Sequence, residues 1–263
     1  LAVAVDRVAP AGEPTELPKI RARSPELRSL IDAFAGLQDR LRTLIRGRMA
    51  LIGGIQHDVR TFATRLRLRV EKIADPAERE RAITDISDMI HLLDDALLAS
   101  RAGASELDEE LIDLCALVKA ETTDRQDQAA AVSLSIEPSA CGLTVLGDRL
   151  ALRRVIANLV ENALKYGNAA HVGLTTEQGA LILTVDDEGP GVPPEQRELL
   201  MEPFTRVEGS RARTTGGSGL GLAVARSLLT AHSGTMKISD AATGGARLTV
   251  SLPVFSSELV RAR

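Results

Sequence analysis

The sequence predicts an α+β protein. A coiled coil and antiparallel helical hairpin, pairing with a second copy into a four-helix bundle, precede an α/β sandwich with an antiparallel or mixed sheet. Three observations carry this. Apolar residues recur at steps of three and four between Leu27 and Leu97, the period of a helix with one buried stripe. After Asp108 short β-like runs interrupt that spacing. The chain's 263 residues exceed one usual domain, and 44% hydrophobic with 26% charged residues is the balance of a folded chain.

Composition also excludes some functions. A net charge of −4 gives no basic footprint, so no nucleic-acid partner is expected. Cys115 and Cys141 lack metal-ligand spacing. They read as small buried apolar residues in a reducing cytoplasm. No apolar run reaches the ~18 residues that span a bilayer, and no signal peptide is visible. With Leu1 rather than Met at the start, the expectation is an excised soluble piece, in which a membrane anchor upstream would be invisible.

Residues 1–25 hold Pro10, Gly12, Pro14, Pro18 and Pro25, too many breakers for a continuous helix, and form a connector. Leu27, Leu30, Phe34, Leu37 and Leu41 then make a coiled-coil seam. Ile45 follows Leu41 by four where three was due, and a new register runs through Ile52, Ile55, Val59, Phe62, Leu66 and Ile73. Such a slip is a stutter, which locally unwinds a supercoil and can carry rotation between segments. Gly53 and Gly54 soften the helix just beyond it.

Asp75, Pro76 and Glu78 supply an N-cap, a first-turn proline and an early acid for a second helix. Its stripe is Ile83, Ile86, Ile90, Leu93 and Leu97, and Gly103 closes it. Two helices bury two stripes poorly, so a homodimeric four-helix bundle is expected. Strands are predicted over 131–137, 142–146, 172–176, 180–185, 235–239 and 246–252, and helices over 150–166 and 220–231. Without regular βαβ alternation the sheet is not all-parallel. The domains read as a connector with a signalling helix (1–46), a hairpin (47–104) and a sandwich (105–263).

Four clusters carry chemistry. The seam faces Ile55 and Val59 inward, so His57 points outward, beside Asp58 and on the face of Thr61. Asn158 and Asn162 share a face of one helix, followed by Lys165 and Tyr166. Asp187, Gly189 and Gly191 follow a strand, a pattern that also suits an ordinary turn. Gly216-Gly217-Ser218-Gly219-Leu220-Gly221 enters an apolar helix, where bare backbone N–H groups and the helix dipole favour phosphate. The last is no Walker loop, because no Gly-Lys-Ser/Thr follows, and no Rossmann fingerprint.

His57-Asp58-Val59-Arg60-Thr61 resembles the H-box of bacterial sensor histidine kinases of the osmosensor type. Asn158 to Tyr166, Asp187 to Gly191, Glu202-Pro203-Phe204 and the 216–222 glycine run resemble, in family order, the N, G1, F and G2 boxes of the GHKL, or Bergerat, ATP-binding fold shared with DNA gyrase and MutL. The resemblance implies that His57 accepts phosphate from ATP. An imidazole suits this, since one nitrogen attacks while a carboxylate orients the proton on the other. Asp58 would be that carboxylate, and Thr61 would position water for dephosphorylating the partner.

Asn162 would ligate Mg²⁺, Lys165 and Tyr166 would line the phosphate end, and Asp187 would accept the adenine amino group. Asn158, Gly189, Gly191, Phe204, Gly217, Ser218, Gly219, Leu220 and Gly221 complete the nucleotide site, with Arg213 a γ-phosphate contact. Partners implied are a second copy and a response-regulator aspartate. The stretch from Pro25 resembles the second half of a HAMP relay. One residue departs from the pattern: Phe62 stands where the family usually has a helix-kinking proline. It leaves open a kinase-impaired scaffold or phosphatase. A gyrase- or MutL-type ATPase would carry a glutamate where Asn158 stands, and would leave the histidine hairpin without a role.

Overall fold

The computed structural model describes residues 58–103, 107–203, 219–242 and 244–256, with isolated positions 33, 36, 37, 40, 43, 47 and 205. The chain divides into two compact units, Leu1–Glu106 and Leu107–Arg263. The 1–46 signalling segment's seam and stutter, Gly53 and Gly54 lie outside the described residues or touch them only at isolated positions.

In the first unit a helix, α1, covers 58–70, and α2 covers Pro76–Gly103. The predicted start of α2 is built as expected. The Asp75 carboxylate accepts the N–H of Ala77 at 2.8 Å and of Glu78 at 3.4 Å, satisfying donors that the first turn leaves without intrahelical partners. Across the hairpin Arg60 donates to Asp94 at 2.6 Å. That pair is largely exposed and sets orientation more than stability. The small Ala63 is fully buried, whereas Phe62 is 59% and Leu66 43% exposed within one chain. The α2 stripe Ile83, Ile86, Ile90, Leu93 and Leu97 is only half-buried.

The second unit opens with β1 (Glu110–Asp113) and α3 (Leu114–Asp127). Neither element was expected, since four residues are too few to display alternation. Asp113 caps α3 by accepting from Ala116 N–H at 3.0 Å. Then come β2 (Val132–Ile136), β3 (Thr144–Gly147), α4 (Arg149–Gly167), β4 (Ala170–Glu177) and β5 (Ala180–Asp187). The short α5 (Pro194–Arg197), α6 (Gly221–Ala231), β6 (Thr235–Asp240) and β7 (Ala246–Pro253) follow. Each predicted strand lies within about two residues of its observed span. The five-stranded sheet runs β2-β4-β5-β7-β6 and is mixed, β2 lying parallel to β4 and the other neighbours antiparallel. β1 pairs β3 in a separate two-stranded sheet.

Alternation along the strands decides which face is covered. Val172 and Leu174, Leu181, Leu183 and Val185, and Leu248, Val250 and Leu252 are buried, together with Leu152, Ile156 and Leu159 of α4 and Leu228 and Leu229 of α6. Each such side chain contributes about 1.5–3 kcal/mol by leaving water. Intervening positions such as Thr184, Thr249 and Ser251 are more accessible. The buried Glu121 carboxylate is paired with Arg125 at 3.1 Å and with Arg153, which joins α3 to α4 and offsets the cost of its burial.

One expectation is overturned. Cys115 and Cys141 are bonded to each other, with an S–S distance of 2.22 Å and Cα atoms 5.3 Å apart. Cys115 is buried but Cys141 is exposed. The β1–β3 ladder, which ends at Asp113 and Thr144, brings together two thiols that are 26 positions apart in sequence. Spacing alone does not reveal that pairing. Two bonded cysteines give no ground for inferring a reducing compartment.

Candidate active site

The site is built along α4. Asp148 caps this helix, accepting from Ala151 N–H at 3.0 Å, and the 19-residue span holds its apolar face on the sheet. One turn apart on the same side lie Asn158 and Asn162. Asn158 is 5% exposed, and its amide donates to the Gly221 carbonyl at 3.0 Å. The first expected cluster is thereby joined to the start of α6. Asn162 is half-buried. Lys165 places its ammonium 5.5 Å from the Tyr166 ring centre, a cation–π distance.

The far end of α4 meets the Asp187 segment. Asp187, the last residue of β5, is 4% exposed. Its Oδ1 accepts two backbone N–H groups, from Gly189 at 2.8 Å and Ala246 at 3.0 Å. The main chain comes so close here that a side chain on Gly245 would overlap the Asp187 carbonyl oxygen, and one on Gly189 would meet the Tyr166 carbonyl. Gly191 and Gly219 hold φ of +74° and +70°, conformations that favour residues without a Cβ. α6 begins at Gly221 with Leu220 as N-cap and no side-chain cap. Its first N–H groups are therefore presented without a side-chain acceptor from the cap, as anion binding at a helix start requires.

Of the expected site residues, the structure brings together Asn158 with Gly221, the Tyr166 carbonyl with Gly189, and Gly189 with Asp187. Asp58 and Thr61 are exposed on α1 of the other unit. His57, Phe204, Arg213, Gly217 and Ser218 lie outside the described residues.

Two contributors carried no recognised motif. Ala246, with Gly245 before it, holds Asp187; the only sequence signal was a Gly-Gly pair ahead of a strand. His232 is 2% exposed at the end of α6. Its Nδ1–H donates to the Leu228 carbonyl at 2.6 Å, and its Nε2 accepts the Asp148 N–H at 2.9 Å. The backbone N–H can only donate, which fixes this tautomer. The imidazole thus ties the end of one site helix to the start of the other. A lone histidine gave no sign of that contact.

Residues 147–256 match the family "Histidine kinase-, DNA gyrase B-, and HSP90-like ATPase". The chain is 34% identical to the sensor histidine kinase GtrS of Pseudomonas aeruginosa over 94% of its own length and 50% of that protein's. It is 34% identical to the sensor protein RstB of Escherichia coli, covering 85% of this chain and 53% of RstB. The chain thus spans about half the length of these relatives. Among solved structures, full-length ShkA in complex with AMPPNP has a TM-score of 0.60 at 23% identity, covering 79% of this chain and 46% of ShkA. The Acinetobacter baumannii histidine kinase AdeS has a TM-score of 0.55 at 24% identity, covering 76% of this chain and 98% of the AdeS chain. At those identities the structural likeness establishes the fold. The sequence matches make the chain similar to bacterial sensor histidine kinases along most of its own length, with residues 147–256 matching the ATPase-type family.

Proposed function

We propose that this chain is the kinase portion of a two-component sensor: it binds ATP in its second unit, autophosphorylates on His57 and passes the phosphoryl group to a response-regulator aspartate. The observation that carries this is the convergence on α4. Asn158 bonds the start of α6, and nine residues later Gly167 packs on Asp187 and Glu188. Those two contacts lie about 13 Å apart along the helix, so an extended nucleoside triphosphate can lie with its base at Asp187 and its phosphates at Gly221.

In this reading the Asp187 carboxylate, held rigid by two backbone donors, accepts the exocyclic amino group of adenine. The uncapped start of α6 receives phosphate oxygens. Asn162 fits a place as Mg²⁺ ligand: it is half-buried and offers a hard amide oxygen on the nucleotide side of α4. When bound, Mg²⁺ neutralises charge on the transferring phosphoryl group. The protein's own part is positioning. Lys165 and Arg213 contact the phosphates, Phe204 belongs to the nucleotide site, and Gly217, Ser218 and Gly219 offer backbone N–H groups. On α1, Asp58 orients the His57 imidazole and Thr61 directs water at the phosphorylated partner.

The poorly covered Phe62 and Leu66 support a second copy completing a four-helix bundle. No helix among the described residues is long and apolar enough to cross a membrane, and the anchor belongs upstream in this reading. Similarity to sensor kinases along nearly the whole chain favours the kinase over a kinase-impaired scaffold. Incubation with γ-labelled ATP tests the proposal. Label that is acid-labile, base-stable and absent from His57→Gln is the expected result, and label that survives this substitution would refute it.

A further inference from the structure

The residues on either side of Asp187 are each tied to a different neighbouring strand, and we propose that these ties are positioning devices for the nucleotide base. Asp186 takes a two-pronged grip from Arg247 of β7, Nε to Oδ1 at 2.7 Å and Nη2 to Oδ2 at 2.6 Å. Glu188 is bonded at 2.9 Å by Nε2 of His171 on β4, whose Nδ1 lies 2.8 Å from the Ser133 hydroxyl of β2. The Arg247 guanidinium is held protonated more firmly than usual, chiefly by its hydrogen bond to Asp186, against the opposing effect of burial. The inference rests on Asp187 being the adenine acceptor.

Location gives the ties their leverage. Asp186 and Arg247 are the last register pair of the β5–β7 ladder at this end. Beyond them the strand bonds give way, and the next residue of β7, Ala246, donates instead to the Asp187 carboxylate. A shift of β7 would therefore move a donor that fixes the base-reading oxygen. A planar bidentate grip resists such sliding, and a single ammonium does so less well. On the other flank, the His171 bridge holds the side chain of Glu188, the residue directly before the Gly189 N–H, which is the second donor to Asp187. Neither Arg247 nor His171 needs to touch nucleotide, so both are positioning residues.

The test uses the full chain and compares ATP with inosine triphosphate, which has a carbonyl in place of the adenine amino group. Dissociation constants come from displacement of a fluorescent nucleotide. Asp187→Asn should abolish the preference for ATP. Arg247→Gln and His171→Gln should each lower that preference roughly threefold to tenfold, the range of one partly exposed charge-assisted bond, with inosine triphosphate binding little changed. Arg247→Lys should fall between. Equal weakening of both nucleotides would reveal a merely structural role and overturn the inference. So would an intact preference in Arg247→Gln and His171→Gln when Asp187→Asn has lost it. If Asp187→Asn itself keeps the preference, the reading of the base site fails, and the inference with it.

Discussion

Single side chains divide here between those whose role follows from position along an element and those whose role needs a third dimension. Asp187 belongs to the first kind. An acid closing an apolar strand, followed by glycines, was legible as a turn that lets a base approach. Ala246 and His232 belong to the second, because their partners lie 59 and 84 residues away and no local pattern encodes such pairs. Thr61 sits three residues after Asp58 on the exposed side of α1. Thr61→Ala is therefore expected to retain autophosphorylation and lose most dephosphorylation of the regulator. Dephosphorylation assays on a purified phosphorylated receiver domain check this, and an unchanged rate would refute the water-positioning role.

At the scale of elements, the strands and helices of the second unit were legible because one face of each is buried, which imposes a period of 2.0 or 3.6. β1 and α3 escaped because β1 is short and the apolar residues of α3 are broken by the buried, ion-paired Glu121. The cysteine pairing escaped with them, since it depends on the β1–β3 ladder. That bond closes a loop spanning 26 positions and should stabilise the second unit by about 3 kcal/mol through loss of unfolded-chain entropy. Reduction with dithiothreitol, or Cys115→Ser, should accordingly lower the thermal midpoint by several degrees. A midpoint indifferent to reductant in wild type would contradict the pairing.

On the scale of the whole molecule, each unit is compact, but they differ in how completely they cover their own apolar surface. The sandwich buries its core within one chain. The hairpin leaves Phe62 and Leu66 substantially exposed. Phe62→Glu combined with Leu66→Glu should shift the protein from dimer to monomer in light scattering at micromolar concentration, while nucleotide binding by the second unit persists. A dimer unaffected by both charges would place the interface elsewhere.

The central claim is that a phosphoryl group moves from ATP to one imidazole. It is tested most directly by mapping the modified residue. Protein incubated with Mg²⁺ and ATP, digested at neutral or alkaline pH and sequenced by electron-transfer fragmentation, should carry its phosphate on His57 alone. Phosphate found on a serine, threonine or another histidine, with His57 unmodified, would contradict the account.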